Sequence, residues 1–567
     1  MCGIAGILGN NSNQDSLKQM LLAQCHRGPD ALDFFCDNNV SLGHNRLSII
    51  DLSSDANQPM KDSSGRYVLV FNGEIYNYIE LKKELSSFFK FKTNSDSEVL
   101  LYAYIKWGSN VLNKLKGMFA FAIWDNVQKQ LFAARDRFGV KPLYYTFFNK
   151  TLVFASESNS IFASGLVEKK FNESVWSSYF SNGSYGLPNE TFYESISQLE
   201  PGHYMTFSNG KIKVVRWYDF VENVNKIKKN EVYSHDDLEE KISYLLNQAI
   251  TLRFRSDVPV GFNLSGGLDS SLLLGLIKNQ NFEQSKINAF TFYTNDNRYD
   301  ELYWVEKMVS GTNFNLHKCL LSVNDIPDLA YKTAKIQAEP FGGIPTIAYG
   351  EVFKKASQIG VKVLLDGQGS DEAWAGYDYY TNNSNSTIQG VTKSPFRHNV
   401  LEADFISKAD KFTYAKPFTD DLLNLQYRDL FYTKIPRALR FNDRMSMMYG
   451  TELREPFLDH ELVEFVFAQP TSFKINDGIQ KWFLRKLAAK YLCGEITTAP
   501  KRPLQTPQRE WLSYDLKDWV VDEVNKLNNN SWFNKKELHK ELANFFKGDN
   551  QSSFHIWQWM SLTLLNK

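Results

Sequence analysis

The sequence predicts a chain of two α/β domains: a layered α-β-β-α domain at residues 1–212, and a doubly wound domain with a parallel sheet and a helical end at 213–567. Three observations carry this prediction. The chain has 567 residues, which is too long for one hydrophobic core. Short β-type runs with few helices between them fill the first part, up to about residue 212. From residue 237 onward, helical and strand patterns alternate, as they do around a parallel sheet.

In the first domain, apolar and β-branched runs bounded by turn residues indicate strands. The predicted strands are 67–71, 117–124, 130–135 and 152–155. Turns are predicted at Asn72-Gly73, Asp125-Asn126 and Phe148-Asn149, since such pairs are typical of chain reversals. Helical patterns lie at 78–87 and 96–107. Because each sheet buries one face, this pattern favours two sheets packed together with the helices outside.

The second domain follows a polar, Lys- and Asn-rich stretch at 221–235, which predicts a surface linker. The elements predicted after it are a helix at 237–254, a strand at 260–264, a helix at 272–278 and strands at 287–293 and 361–365. Residues 382–393 are rich in Asn, Ser and Thr and predict a mobile loop. The chain from about residue 396 is predicted to be mostly helical.

Composition excludes several classes of function. Apolar residues make up 43% and charged residues 23% of the chain, as in ordinary globular proteins. Lys plus Arg and Asp plus Glu both number 64, so no net charge draws the chain to nucleic acid or to an anionic membrane. No apolar run is long enough to cross a bilayer, and the start lacks the basic and apolar segments of a signal peptide. We therefore expect a cytoplasmic protein without nucleic-acid partners.

The cysteine at position 2 can become the N-terminal residue once Met1 is removed. Its thiol and its own α-amine then form a nucleophile with a built-in base, which is the chemistry of N-terminal hydrolases. Taken alone, Cys2 is more simply a small buried residue, and a chain that keeps Met1 would have the base blocked. The five cysteines are scattered and odd in number, which disfavours disulfides and zinc sites and suits a reducing compartment.

A second motif, Leu264-Ser265-Gly266-Gly267-Leu268-Asp269-Ser270-Ser271, stands between a predicted strand and a predicted helix. It lacks the lysine of a Walker A loop. Backbone N–H groups of such a turn still bind phosphates at a helix N-terminus, and the serine hydroxyls add donors. Asp269 would repel phosphate unless a divalent cation lies between them, so we interpret it as an Mg²⁺ ligand. The simpler alternative is a glycine-rich turn without a ligand.

Five further motifs follow in order along the first domain. They are Arg27-Gly28-Pro29-Asp30, Arg46-Leu47-Ser48-Ile49, Asn72-Gly73-Glu74-Ile75-Tyr76-Asn77, Asp96-Ser97-Glu98 and Arg135-Asp136-Arg137-Phe138-Gly139-Val140-Lys141-Pro142-Leu143-Tyr144-Tyr145. With Cys2, they make the chain resemble the class II, N-terminal-nucleophile (Ntn) glutamine amidotransferases, and more narrowly the glutamine-hydrolysing asparagine synthetases. The resemblance implies an Ntn-type glutaminase domain followed by an ATP-pyrophosphatase domain of the adenine nucleotide α-hydrolase-like type.

The resemblance implies roles for residues of the first domain. Cys2 would attack the side-chain amide of glutamine, while Asn72 and Gly73 stabilise the oxyanion. Arg46 would bind the α-carboxylate of glutamine, and Asp96 with Glu74 its α-ammonium. The implied glutamine-binding residues are Arg46, Leu47, Ser48, Ile49, Ile50, Asn72, Gly73, Glu74 and Asp96. Taken singly, Arg46 or Asp96 would be an ordinary surface charge, and only the joint order of the motifs favours a site.

The resemblance also implies a site for ATP and Mg²⁺ in the second domain. The segment Leu365-Asp366-Gly367-Gln368-Gly369-Ser370-Asp371-Glu372 resembles the second nucleotide and metal loop of the family, so that Asp371 would join Asp269 as a metal ligand. The implied ATP-binding residues are Leu264, Ser265, Gly266, Gly267, Asp269, Ser270, Ser271, Phe292, Asp366 and Gly367. Lys481 would act in catalysis by neutralising charge on the phosphate groups, although alone it would be read as part of a solvated helix face.

The family amidates a carboxylate through an acyl-adenylate, with ATP cleaved to AMP and pyrophosphate, and aspartate is the leading acceptor. Two departures keep the acceptor open. Gln368 stands where asparagine synthetases have a glutamate, and residues 338–346 lack the arginine that aspartate-using members carry. Both departures resemble the branch that converts a sugar uronate into a uronamide for surface polysaccharides.

The remaining alternative belongs to another class, a catalytically silent nucleotide-binding or regulatory protein. The expected partners are the small molecules glutamine, ATP and a carboxylate acceptor, and a homodimer is allowed.

Overall fold

A computed structural model describes residues 2–230, 234–280, 282–381, 394–492, 494–498, 505–548 and 552–566. The strands of the first domain are β1 (Gly3–Leu8), β2 (Ala31–Asp37), β3 (Val40–Arg46), β4 (Met60–Lys61), β5 (Tyr67–Ile75), β6 (Gly117–Asp125), β7 (Gln130–Arg135), β8 (Tyr144–Phe148), β9 (Thr151–Ala155), β10 (Ser197–Gln198), β11 (His203–Ser208) and β12 (Lys211–Arg216). Within the described chain they form two antiparallel sheets of six strands, in the orders β10-β8-β9-β1-β3-β2 and β12-β11-β7-β6-β5-β4. The four strands predicted in this domain are confirmed as parts of β5, β6, β7 and β9.

The two sheets pack face to face. Side chains alternate along β1, so Ile4 and Leu8 point between the sheets while Ala5 and Ile7 face outward. The helices of this domain are α1 (Gln14–Ala23), α2 (Tyr78–Leu85), α3 (Asp96–Trp107), α4 (Val111–Lys114), α5 (Ser158–Ala163) and α6 (Glu173–Asn182). Helices α1 and α5 cover the first sheet, and α2 and α3 cover the second. The predicted α-β-β-α layering is confirmed, and Cys2 directly precedes β1, a strand in the middle of its sheet.

The second domain is built on a parallel sheet. Its strands are β13 (Val260–Asn263), β14 (Asn288–Tyr293), β15 (Asn315–Leu320), β16 (Val363–Leu365) and β17 (Glu452–Arg454), and a small hairpin joins β18 (Ile475–Asn476) to β19 (Ile479–Gln480). The sheet order is β15-β14-β13-β16-β17. The chain leaves β13 toward β14 and β15 and later returns to the other side of β13 as β16, so the topology switches between β13 and β16. Ligands of such sheets bind at the carboxyl ends of the strands beside this switch.

The three strands predicted in the second domain are confirmed as β13, β14 and β16, and the doubly wound class with them. Strands β15 and β17 were not predicted. For β17 the reason is that it has only three residues, of which two are charged. The helices of this domain are α7 (Phe220–Asn230), α8 (His235–Arg253), α9 (Leu268–Lys278), α10 (Leu302–Val309), α11 (Ile326–Gln337), α12 (Ile344–Gln358), α13 (Ser370–Ala373), α14 (Asp378–Thr381), α15 (Ala403–Ile406), α16 (Asp421–Arg428), α17 (Lys434–Met448), α18 (His460–Ala468), α19 (Thr471–Lys474), α20 (Trp482–Ala488), α21 (Gly494–Thr497), α22 (Gln508–Ser513), α23 (Lys517–Asn525), α24 (Lys535–Phe546) and α25 (Phe554–Leu565). The helical character predicted beyond residue 396 is confirmed.

Two local predictions are wrong. Asn72 and Gly73 form no turn but continue β5, where they pair with Ala120 and Phe119 of β6. The register between β5 and β6 runs on to Ile75, and this long pairing overrides the turn preference of the Asn-Gly pair.

The stretch at 221–235 is also not a linker over its first part, because most of it lies in α7. Phe220 and Val224 are four residues apart on one face of α7 and are buried against the helices of the second domain, including α18. The Lys- and Asn-rich composition of 221–235 predicted a loop because it hides the apolar face of α7. The predicted mobile loop at 382–393 lies outside the described residues, as does Met1.

The predicted domain boundary after residue 212 falls inside β12 and stays a prediction. Over the described ranges, every helix is too short or too polar to cross a bilayer.

Candidate active sites

Cys2 directly precedes β1 and is held there by its backbone. Its N–H donates to Asn72 Oδ1 at 3.0 Å, and its carbonyl accepts from Arg27 Nε at 3.1 Å. The thiol sulfur lies 3.9 Å from the Leu47 carbonyl oxygen, and the residue is 8% exposed. Burial raises the pKa of the Cys2 thiol above its ordinary value. A thiol in this environment needs a nearby base before it can act as a nucleophile.

Asn72 and Gly73 lie side by side in β5, and Asn72 contacts the Cys2 backbone. The Asn72 side chain is fully buried, and its Nδ2 has no hydrogen-bond partner among the described residues. Gly73 has φ +151°, and a Cβ there would lie 2.1 Å from the Met118 carbonyl oxygen. Only glycine fits this close approach of β5 to β6. The geometry therefore leaves an amide donor beside Cys2 with no partner, as an oxyanion site requires.

Arg46 ends β3 and is surrounded by a loop that follows it. Its guanidinium donates to the Ser53 carbonyl at 2.6 Å, to Asn57 Oδ1 at 2.7 Å and to the Asp51 carbonyl. Of the neighbouring predicted residues, Leu47, Ile49 and Ile50 are buried apolar side chains, and the Ser48 N–H donates to Asp30 Oδ2 at 2.7 Å. The loop thus fixes the position of the Arg46 guanidinium.

Glu74 and Asp96 are buried carboxylates next to each other. Asp96 opens α3 and accepts from the Ile75 N–H at 2.9 Å. Burial raises the pKa of Asp96 to about 6, and the nearby Glu452 adds to the shift. Burial also raises the pKa of Glu74 well above its ordinary value, with Glu452 and Asp96 contributing. Arg454 Nη2, from the second domain, lies 3.6 Å from Glu74 Oε1. A ligand ammonium beside these carboxylates would favour their ionised forms.

The second site is a cavity of about 310 Å³ at the carboxyl ends of β13 and β16, where the sheet topology switches. The predicted residues that line it are Leu264, Ser265, Gly266, Gly267, Asp269, Ser270, Phe292, Asp366, Gly367, Asp371 and Lys481. Ser271 is not among them: its side chain is fully buried, and its hydroxyl donates to the Gly267 carbonyl at 2.6 Å. The glycine turn caps the N-terminus of α9, which directs its N–H groups toward the cavity.

Two carboxylates and one lysine meet in this cavity. Lys481 Nζ lies 2.6 Å from Asp269 Oδ1 and 2.6 Å from Asp371 Oδ1, and it donates to Ser370 Oγ at 3.3 Å. Burial alone would lower the pKa of Lys481, but Asp269 and Asp371 raise it above its ordinary value. Lys481 adopts φ +53° directly after the β18–β19 hairpin and is 5% exposed.

This arrangement fits the predicted Mg²⁺ site. The Asp269 and Asp371 oxygens converge on a single cation, here the Lys481 ammonium, and carboxylate oxygens are the ligands that Mg²⁺ prefers. Over the described ranges, no three His, Cys, Asp or Glu residues cluster as a complete metal site. Two carboxylates completed by substrate phosphates and water are nevertheless a common Mg²⁺ environment.

Several lining residues were missed by the sequence analysis. Glu301 Oε2 accepts from the Gly266 N–H at 3.1 Å. One N–H group of the glycine turn is therefore already hydrogen-bonded to a carboxylate. Glu372 accepts from the Tyr377 hydroxyl at 2.6 Å, and burial, reinforced by Asp371, raises its pKa to about 7. Glu372 belongs to the motif at 365–372, and that motif is the signal in the sequence that could have indicated it. Tyr299 and Tyr349 also line the cavity, and no sequence signal marked them.

Comparisons with known proteins cover both domains. Residues 1–218 match the family model described as a glutamine amidotransferase domain, and residues 241–566 match the one described as asparagine synthase. Glutamine-hydrolysing asparagine synthetase 3 of Bacillus subtilis is 29% identical, over 92% of this chain and 89% of its own length. A putative glutamine-hydrolysing asparagine synthetase of Methanocaldococcus jannaschii is 34% identical, over 67% and 76%. Amidase chry2 of Gibberella zeae is 27% identical, over 93% and 92%.

Proposed function

The chain belongs to the asparagine synthetase family of glutamine-hydrolysing ligases, and from this premise we propose that it transfers the amide nitrogen of glutamine to a carboxylate activated as an acyl-adenylate. ATP would be cleaved to AMP and pyrophosphate. The observation that carries the proposal is the presence of two separate sites in one chain. One holds Cys2 beside an unpartnered amide donor, and the other is the cavity where Asp269, Asp371 and Lys481 meet.

In the first site, the Cys2 thiol attacks the side-chain carbonyl carbon of glutamine. Once Met1 is removed, the α-amine of Cys2 takes the thiol proton and passes it to the departing ammonia. The Asn72 Nδ2 and the Gly73 N–H stabilise the oxyanion, and no reorganisation is needed because both groups are held in β5. Water then hydrolyses the glutamyl thioester and releases glutamate.

In the second site, the N–H groups of the glycine turn bind the phosphates of ATP at the N-terminus of α9. Asp269 and Asp371 would hold Mg²⁺, which when bound neutralises phosphate charge. Lys481, released from these two carboxylates, reaches the same phosphates and stabilises the charge that develops as pyrophosphate leaves. Phe292 and Asp366 would lie against the adenosine.

Ammonia must pass between the sites without taking up a proton, because ammonium is not a nucleophile. A small cavity of about 20 Å³ lies at the domain interface and is lined by Met118 from the first domain and by Arg253, Glu455 and His460 from the second. Met118 packs directly against Gly73. Burial lowers the pKa of His460 well below its ordinary value, so this imidazole is neutral, while burial raises the pKa of Glu455 to about 8. The position of this cavity between the two domains, next to Gly73, supports the interface as the route for ammonia.

Aspartate is the acceptor we propose first, since relatives over most of the chain are asparagine synthetases. A sugar uronate is the second candidate, and one observation favours it: Gln368 lines the cavity where the family has a glutamate that is proposed to take a proton from ammonia. A glutamine cannot accept that proton at neutral pH.

An acceptor screen tests the proposal. The chain is incubated with ATP, Mg²⁺ and glutamine, and AMP, pyrophosphate and glutamate are measured with aspartate or with nucleotide-linked uronates. Pyrophosphate release with aspartate supports the first candidate, and release with a uronate alone supports the second. ADP and inorganic phosphate as products would contradict the acyl-adenylate.

A further inference from the structure

A buried ion pair between Arg27 of the first domain and Asp443 of the second lies next to Cys2, because Arg27 also contacts the Cys2 carbonyl. Asp443, on α17, accepts from Arg27 at two points: Nη1 to Oδ2 at 2.9 Å and Nη2 to Oδ1 at 3.3 Å. The Arg27 side chain is fully buried, and Asp443 is 5% exposed. The two residues are 416 positions apart, so the contact exists only because the domains pack together. A pair so well shielded from water interacts strongly and is sensitive to loss of either partner.

The same guanidinium also holds the nucleophile. Arg27 Nε donates to the Cys2 carbonyl at 3.1 Å, while Nη1 also reaches Glu157 Oε1 at 3.0 Å. Burial alone would lower the pKa of Arg27, but Asp443 and Glu157 raise it above its ordinary value. Burial by itself would raise the pKa of Glu157, yet His26 and Arg27 lower it to about 2, so this carboxylate is ionised. Arg27 is therefore held between two carboxylates and one backbone carbonyl.

The geometry gives Asp443 a definite effect. A guanidinium is a rigid planar fork, so carboxylates on both sides determine where its third edge points. Without the charge of Asp443, Arg27 keeps only Glu157 as an ionic partner and is drawn toward it. The Cys2 carbonyl then loses its donor, and the Cys2 backbone is left with its other contact, to Asn72.

We propose that Asp443 is a positioning residue for glutamine hydrolysis: through Arg27, the second domain holds Cys2 in line with Asn72. This inference rests on the proposed function of the first site. Helix α17 is well suited to the task because it contacts the first domain at other points as well. Lys141 Nζ lies 3.9 Å from Asp443 Oδ1, and Arg444 Nη2 donates to the Tyr144 hydroxyl at 2.6 Å.

The test compares D443N with the wild type in three assays. We expect kcat for glutamate release from glutamine to fall about 100-fold, the cost of displacing a reacting group by about 1 Å, with little change in KM. Pyrophosphate release supported by ammonium salt should stay within about twofold of the wild type, because the second site is untouched. Alkylation of Cys2 by an electrophilic glutamine analogue, followed by mass spectrometry, should slow in parallel with kcat.

E461Q is the matched control. Glu461 Oε2 forms another ion pair between the domains, 2.6 Å from Lys116 Nζ, but this pair does not reach Cys2. E461Q should hydrolyse glutamine within about twofold of the wild type. A second variant, D443E, keeps the buried charge and so avoids the destabilisation that follows when Arg27 loses an ionic partner. Its longer side chain displaces the guanidinium, and we expect a loss of about tenfold or more in glutamate release.

The outcomes separate the inference from the proposed function. If the wild-type chain releases no glutamate, the proposed function fails. If it releases glutamate and both Asp443 variants keep kcat and the alkylation rate within about twofold of the wild type, Asp443 does not position Cys2. Equal losses in E461Q and D443N would also overturn the inference, because the effect would then belong to domain packing in general.

Discussion

Replacing Gly73 with alanine perturbs the first site at a single atom. The added Cβ would lie 2.1 Å from the Met118 carbonyl oxygen, whereas contacts of a Cβ below 3.0 Å are essentially never seen. The backbone of β5 must therefore move by about 0.9 Å at the residue whose N–H is proposed to stabilise the oxyanion. A displacement of about 1 Å costs about 100-fold in rate, which corresponds to about 2.7 kcal/mol in the activation free energy.

Glutamate release by G73A should accordingly fall about 100-fold in kcat/KM, while pyrophosphate release driven by ammonium salt stays near the wild-type value. G65A is the control: Gly65 also has a positive φ, of +72°, but nothing lies within 4 Å of its Cβ position. G65A also places an alanine at a positive φ, but without the clash, and should hydrolyse glutamine normally. Glutamate release by G73A within threefold of that by G65A would refute the reasoning, because the approach of β5 to β6 would then not control the oxyanion site.

Three further results are expected. C2A should lose glutamine-dependent activity and keep activity with ammonium salt, as measured by pyrophosphate release, and loss of both would contradict the division into two sites. K481Q should lower pyrophosphate release by about 100-fold or more and retain glutamate release, because the ammonium between Asp269 and Asp371 would be gone. Unchanged pyrophosphate release would show that Lys481 takes no part in the mechanism. The pKa of Asp96 is raised to about 6, so its carboxylate takes up a proton as the pH falls through 6. The KM for glutamine should then rise, because the neutral acid binds an ammonium group less well. A KM that does not change between pH 7 and pH 5 would argue against Asp96 as the ammonium ligand.

Much of the architecture could be read from local patterns. The strands in β5, β6, β7, β13 and β16 were predicted because their apolar runs are long enough to stand out from their flanks. The motif around 264–271 was placed correctly at a strand-to-helix turn for the same reason, and its residues, Ser271 excepted, line one cavity. The Asn72-Gly73 turn was wrong because the pairing partner of Asn72 on β6, Ala120, is 48 residues away along the chain, and local turn preferences do not include such a distant contact.

The sequence by itself indicated the kinds of chemistry: a thiol that can become N-terminal, a glycine turn of the type that binds phosphate, and, through Asp269 and the family resemblance, carboxylates for a metal. Local backbone preferences and the order of motifs carry that information. Only the tertiary structure decided which charges meet. It placed Lys481 between Asp269 and Asp371, Arg454 beside Glu74, and Asp443 on the guanidinium that holds Cys2. The physical reason is that a buried charge must find a partner, and that partner is chosen by which segments pack together, however far apart they lie along the chain.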